Sequence, residues 1–129
     1  MTNHTVKWER NIGRSGPDGV LFRADVTLTI TLATGTYDTG GLALGASAGG
    51  KLRQAGLGNV RNVSGFSGWA VLPSGAYLPA VFSLADPVNP KLILLTSTNN
   101  GLTFEQLANT SPLGSGTVTL KLFAHGDMA

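Results

Sequence analysis

Apolar and polar residues alternate most regularly between Val20 and Ala33. Arginine, aspartate and threonine occupy every second position from Arg23 to Thr31. The positions between them are all apolar: Phe22, Ala24, Val26, Leu28, Ile30 and Leu32. A period of two turns one set of side chains toward a core and the other toward water. Threonine, valine and isoleucine also suit a pleated surface because their β-branches restrict χ1. We predict a long strand of an antiparallel sheet here.

The same alternation returns in the C-terminal stretch, from Thr117 to Ala124. Between the two long strands, shorter apolar runs are bounded by turn residues. Trp69–Leu72 ends at a Pro-Ser-Gly turn, and Tyr77–Leu84 is joined to Lys91–Ser97 by a turn rich in proline and asparagine. We predict a hairpin from the last two runs, with Lys91–Ser97 buried on both faces. Pro79 has no N–H to donate to a ladder, which predicts an edge or a bulge at that position.

Evidence for helices is thin. Leu102–Ala108 is long enough for about two turns behind a capping threonine, and Lys51–Leu57 for one short turn that ends at Gly58. Several short strands with turns between them are typical of an all-β protein. We therefore predict the fold class to be a small antiparallel β-sandwich or barrel with an extended N-terminal arm.

Two glycine-containing segments lie outside the predicted strands. The polar residues 1–19 are expected to form an extended arm that is attached to a single domain of residues 20–129 and is not part of its core. Residues 34–50 are mostly Gly, Ala, Ser and Thr. A loop of that length in a compact domain is usually functional or mobile.

Composition narrows the class of protein further. The 129 residues include 18 glycines, and the absence of cysteine excludes disulfides and thiolate metal sites. The net charge is only +2, and the nine basic residues are scattered singly, so we expect no nucleic-acid partner. No apolar run approaches a membrane span, which predicts no membrane partner. The N-terminus lacks the pattern of a signal peptide, so we expect no secretion by that route.

Two sequence motifs imitate catalytic sites. Gly45 to Gly49 spells G-x-S-x-G, but a nucleophile elbow needs a strand before it, a helix after it and a histidine base nearby. Gly45, Gly50 and Lys51 fit most of a P-loop, but Leu52 stands where Ser or Thr would bind magnesium. We interpret this segment as a loop of small residues.

Acid–base and metal chemistry find equally little support in the sequence. The two glutamates and five aspartates lie in turns, in the arm or on a predicted wet face, and no two form a marked pair. His125 and Asp127 are the single local candidate for a metal site, and a solvated strand end explains them better. We predict no enzyme, no cofactor, no metal and no small-molecule substrate.

Four aromatic residues fall close together in the sequence: Phe66, Trp69, Tyr77 and Phe82. The favoured interpretation places Trp69 and Phe82 in the core. The alternative is a sugar-binding sheet face, which uses exposed aromatic rings.

Three segments resemble a family of small virion proteins from tailed bacteriophages. Tyr37-Asp38-Thr39-Gly40-Gly41-Leu42-Ala43-Leu44 is similar to the Y-P-T-G-G-x-x-L loop of that family, with Asp38 in place of its usual proline. Pro73–Tyr77 resembles the turn that opens its central hairpin, and Val118–Gly126 resembles its closing strand. The hairpin here lacks the acidic, tyrosine-rich character that is common in the family.

The resemblance implies a capsid decoration (cement) protein that binds the major capsid protein on the outer shell, often as a trimer, without catalysis. Such a protein is made in the cytoplasm of the host bacterium and resides in the virion. We expect the partner contacts to come from the arm and the glycine-rich loop, at Lys7, Trp8, Arg10, Arg14, Tyr37, Asp38, Thr39, Gly40 and Gly41. The alternatives are a carbohydrate-binding or host-adhesion module and a tail or baseplate component.

Overall fold

The computed structural model describes residues 4–11, 16–18, 21–33, 36–38, 40–97, 99–109 and 111–129. In chain order the strands are β1 (His4–Arg10), β2 (Gly16–Asp18), β3 (Leu21–Leu32), β4 (Leu42–Ala43), β5 (Asn62–Ser64), β6 (Trp69–Val71), β7 (Tyr77–Ser83), β8 (Lys91–Thr96), β9 (Glu105–Gln106) and β10 (Gly116–Gly126). Two short 3-10 turns lie at Ala46–Ala48 and Leu52–Ala55. In the described part of the chain, no helix has the length and apolar character needed to cross a membrane.

The strands form two antiparallel sheets. The first has the order β1-β3-β10-β5, with β2 also paired to β3, and the second has the order β4-β8-β7-β6, with β9 also paired to β8. The apolar inner faces of both sheets contribute to one core. The predicted all-β fold class is therefore confirmed.

β3 is the centre of the first sheet and follows the alternation that predicted it. It pairs with β10 along its length, from Leu32 opposite Gly116 to Phe22 opposite Gly126. The even-numbered residues of β3 are buried, and the intervening residues carry the polar side chains of the outer face. Both long strands predicted from the sequence are confirmed.

The N-terminal residues differ from the expected arm. β1 pairs with β3 over seven residues, from His4 opposite Leu32 to Arg10 opposite Val26. Val6 and Trp8 are buried in the core. Residues 4–10 are thus an edge strand of the domain, and the prediction that they lie outside its core is wrong. The cause is that His4, Val6 and Trp8 alternate with polar residues and complete the inner face of the first sheet.

The predicted hairpin is present, with one difference at Pro79. β7 pairs with β8 through Ala80–Ser83, whereas Tyr77–Pro79 pair with β6 on the other side. The hydrogen-bonded ladder to β8 starts at Ala80, so Pro79 lies outside it. β7 is nevertheless flanked by a strand on each side. In β8, Leu92 and Leu94 are buried, but Ile93 and Leu95 are only half-buried, so burial on both faces is partial.

Other local predictions have mixed outcomes. Leu102–Ala108 is not helical, because it contains the strand β9, which pairs with β8. The short turn expected after Lys51 is present as a 3-10 turn, but it is closed by Gly56, which has a positive φ, and not by Gly58. The described parts of residues 34–50 form no open loop, since Leu42, Leu44 and Ala48 are buried in the core.

Candidate functional site

The outer face of the second sheet is apolar, and we call it the apolar face. Strand register aligns Trp69 with Pro79, Val71 with Tyr77, and Val81 with Ile93. Because side chains alternate along a strand, each aligned pair lies on one side of the sheet. The inner residues of the same strands, such as Ala70, Ala80 and Leu94, are buried. The apolar face therefore comprises Trp69, Val71, Tyr77, Pro79, Val81, Ile93 and Leu95.

Four members of the apolar face are strongly exposed. The exposed fraction is 50% for Trp69, 48% for Val71, 68% for Tyr77 and 49% for Val81. A shallow apolar depression lies between the rings of Trp69 and Tyr77. The interpretation of Trp69 as a core residue is wrong. Side chains alternate along β6, so the ring of Trp69 points outward while Ala70 points inward. Phe82 is half-buried and packs edge-on against Phe66, with ring centroids 5.1 Å apart.

The outer face of the first sheet has the opposite character, and we call it the polar face. Its cross-strand rows read Thr5–Thr31–Thr117, Lys7–Thr29–Thr119 and Glu9–Thr27–Lys121. Lys7 and Glu9 form an exposed ion pair of 3.4 Å. Threonine is favoured in strands for its branch and hydrates well through its hydroxyl. The two outer faces of one small domain therefore differ sharply in polarity.

The partner-binding residues predicted in β1 do not form one surface. Lys7 is exposed on the polar face. Trp8 is 1% exposed, and its Nε1–H donates a 2.8 Å hydrogen bond to the carbonyl of Leu44. Arg10 is exposed and stacks over the ring of Phe22 at 5.3 Å. Trp8 is a core residue that joins the two sheets, so its predicted role as a contact is wrong.

Part of the glycine-rich segment is joined by hydrogen bonds to β8 and β9, and we call residues 37, 38, 40 and 41 the clasp. Tyr37 is fully buried, and its hydroxyl donates to Oε1 of Gln106 at 3.0 Å and accepts from the N–H of Leu94 at 3.3 Å. The N–H of Gly40 donates to the same Gln106 oxygen at 2.6 Å, and the N–H of Gly41 donates to the carbonyl of Asp38 at 3.0 Å.

Burial decides which residues of the clasp remain available to a partner. Tyr37 and Gly41 are buried, so the structure contradicts their predicted role as partner contacts. Asp38 and Gly40 are half-buried. Arg14 and Thr39 lie outside the described residues.

Burial raises the pKa of Tyr37, and the nearby charge of Asp38 raises it further, while the hydrogen bond from Leu94 acts in the opposite direction. This perturbation belongs to a structural tyrosine, because both bonds of its hydroxyl are made to the domain's own strands.

The segments that imitate catalytic motifs are structural as well. Gly45–Gly49 surrounds the first 3-10 turn, and Gly49 ends it with a positive φ. Asp127 accepts hydrogen bonds from Asn59 at 2.9 Å and from Arg61 at 3.1 Å, and these bonds hold the pKa of its carboxyl below the usual range. Within the described residues, no group of three or more His, Cys, Asp or Glu is placed to hold a metal ion.

The sequence carries one signal of the apolar face. Tyr77, Pro79 and Val81 on one parity and Leu78, Ala80 and Phe82 on the other make β7 apolar on both sides. Such a strand is covered on both faces or presents one apolar face at the surface.

Comparison of the chain with protein-family models, with curated proteins and with solved structures finds no match to any of them.

Proposed function

We propose that this protein is a non-enzymatic structural protein of a phage virion, namely a capsid decoration protein that binds the major capsid protein. The observation that carries the proposal is the contrast between the apolar face and the polar face. A protein on the outside of a shell needs one surface for protein and another for water. Contiguous apolar surface on a small domain typically marks a contact with another macromolecule. The resemblance of three segments to phage virion proteins supplies the kind of partner.

The contacts of the proposed interface differ from those expected in the arm and the loop. Trp69 and Tyr77 are the natural anchors, because aromatic side chains dominate the energetics of protein interfaces. Val71, Val81 and Ile93 surround them with aliphatic surface. Lys91 is the one charged residue that the register places on this side of β7 and β8, at the end of the face. Docking here therefore buries few charges.

The test measures binding to expanded, empty capsids by co-sedimentation. Val81→Lys places a charge in the apolar face, and Thr31→Lys places the same charge on the polar face. We expect Val81→Lys to lower capsid affinity at least about tenfold, as for a residue at the centre of an interface. Thr31→Lys is expected to bind like the parent protein. Equal binding by the two variants overturns the role of the apolar face, and failure of the parent to bind any capsid overturns the decoration role.

Self-association into a trimer belongs to the same proposal and has its own measurement. Size-exclusion chromatography with light scattering is expected to give three times the mass of the 13.3 kDa chain. A monomeric mass removes the trimer from the proposal and leaves the capsid contact in place. A tail or baseplate location differs only in the virion partner, and immunogold labelling of whole virions distinguishes head from tail.

A second candidate function is carbohydrate binding or host adhesion, which the exposure of Trp69 and Tyr77 favours. Two exposed rings on one sheet face resemble the flat aromatic platforms on which sugar rings stack. Glycan-array binding that is lost on Trp69→Ala and on Tyr77→Ala, and kept on Leu102→Ala, supports this function. Leu102 is a suitable control because it is exposed in a turn outside the apolar face. An array with no binding by the parent protein removes the candidate.

A further inference from the structure

A second apolar site lies away from the apolar face, in a cleft of about 450 Å³ between the 3-10 turns and the turn that joins β7 to β8. Its base is formed by Leu52 and Leu57, and Val88 forms one lip. Leu52 and Leu57 are packed into the core, whereas Val88 is 56% exposed. A volume of this size lies within the range of ligand-binding pockets and is ample for an apolar side chain.

Backbone hydrogen bonds hold the walls of the cleft. The N–H of Gly50 donates to the carbonyl of Gly45 at 2.9 Å, and the N–H of Leu57 donates to the carbonyl of Leu52 at 3.1 Å. The opposite wall is the turn that contains Val88. The N–H of Val60 holds this turn in place by donating to the carbonyl of Pro87 at 2.8 Å. The cleft is thus formed before any ligand arrives, which reduces the entropic cost of binding.

The rim of the cleft is cationic. Lys51 and Arg53 line it and are exposed, and no acidic residue is among its lining residues in the described part of the chain. The ion pairs found in that part of the chain join Lys7 to Glu9 and Arg61 to Asp127, so neither rim cation is neutralised by one of them. The acidic residue nearest in sequence to Val88 is Asp86. Its carboxylate accepts hydrogen bonds from the side chain of Asn89 and from the backbone of Val88, within its own turn.

We infer that this cleft binds an acidic segment of a partner protein, in which an apolar side chain enters the cleft and an adjacent carboxylate meets Lys51 and Arg53. The apolar base selects the side chain, and the two cations select against neutral or basic neighbours. This site is separate from the apolar face and does not depend on the proposed function.

The test titrates the full-length protein with three acetylated and amidated octapeptides. The first alternates leucine with glutamate, the second replaces glutamate by glutamine, and the third replaces leucine by serine. We expect the first peptide alone to shift the backbone amide resonances of Gly50, Gln54 and Gly58. Affinity is expected to fall as salt is raised, because exposed charge pairs are screened.

The variant pair Lys51→Gln with Arg53→Gln is expected to weaken binding of the first peptide about fivefold, as for two exposed ion pairs. The matched control, Lys7→Gln with Lys121→Gln, removes the same charge from the polar face and is expected to bind like the parent. The proposal is overturned if the glutamine peptide binds as well as the first, or if both double variants behave alike. It is also overturned if decanoate binds the cleft and none of the peptides does, which would identify a small amphiphile as the ligand.

Discussion

Tyr37 shows how one side chain connects three segments of this protein. Its ring is buried, and its hydroxyl donates to Gln106 of β9 and accepts from the backbone of Leu94 in β8. Its own backbone N–H donates to the carbonyl of Ser111 at 3.0 Å. A residue with this many internal partners stabilises the fold, and its hydroxyl is engaged within the domain.

Replacing Tyr37 by phenylalanine is expected to lower the free energy of unfolding by about 1–3 kcal/mol, because the buried N–H of Leu94 loses its partner. Urea denaturation followed by circular dichroism measures the change. Tyr77→Phe is the matched control, since it removes an exposed hydroxyl. Similar losses in the two variants would contradict the structural role of Tyr37.

The raised pKa of Tyr37 predicts a loss of stability in alkali. An unfolded tyrosine titrates near pH 10. Because the folded pKa lies higher, the contribution of this group is complete below about pH 10 and is lost as the pH rises through the folded pKa. Denaturation of the parent and of Tyr37→Phe between pH 8 and 11, about the range that brackets the unfolded value, is expected to show a smaller decline for the variant. Parallel declines would contradict this prediction.

Gly41 is one of the glycines at which the structure leaves little room for a side chain. Its φ is +112°, and an added Cβ would lie 2.7 Å from Cδ1 of Ile93 and 3.0 Å from the carbonyl oxygen of Leu92. Gly75 also has a positive φ, of +90°, but an added Cβ there meets nothing within 4 Å. We expect Gly41→Ala to lower the melting temperature clearly more than Gly75→Ala, because only Gly41→Ala adds a clash to the backbone strain. Equal melting temperatures would contradict the clasp geometry.

At the scale of elements, β1 decides whether the first sheet is complete. It covers the edge of β3, and Val6 and Trp8 fill the core between the sheets. If residues 4–10 were a solvated arm, the two parities of the strand would tolerate substitution equally. In a paired strand they differ, because successive side chains point to opposite faces.

Val6→Asp is therefore expected to lower the free energy of unfolding by more than about 3 kcal/mol, since it leaves an uncompensated charge in the core. Thr5→Asp, one residue away on the polar face, is expected to change it by less than about 0.5 kcal/mol. Thermal unfolding followed by circular dichroism measures both variants. Equal effects would contradict the placement of β1 in the sheet.

At the scale of the whole molecule, the two outer faces of the domain differ in polarity. The polar face presents rows of threonine and single charges, and the apolar face presents Trp69 and Tyr77. The inner faces of both sheets contribute apolar residues to one core, so the core alone does not distinguish the two sides. The proposed partner contact is therefore expected on the apolar face.

The two tryptophans report this difference directly. Trp8 is 1% exposed and Trp69 is 50% exposed on the apolar face. Acrylamide is expected to quench the fluorescence of the parent protein strongly and that of Trp69→Phe weakly, because the remaining ring of Trp8 is shielded by the core. Strong quenching of Trp69→Phe would contradict the packing of Trp8 between the sheets.

Periodicity predicted the fold class, β3, β10 and the β7–β8 hairpin, because these strands carry long alternating or apolar runs. It missed β1, where only His4, Val6 and Trp8 mark the buried parity within a polar segment. Capping signals allowed about two helical turns at Leu102–Ala108, because such signals are local while the pairing of β9 with β8 is not. Of the residues predicted to contact a partner, Trp8, Tyr37 and Gly41 are buried.

The sequence by itself determined that this chain forms an antiparallel all-β domain, because strand periodicity and turn residues act locally. Only the tertiary structure decided which apolar residues are covered. Trp69 and Trp8 are equally apolar in the sequence, but the register of β6 turns one ring outward and that of β1 turns the other into the core. Burial depends on which strands pair and which sheets pack, so the apolar face emerges only when both sheets are assembled.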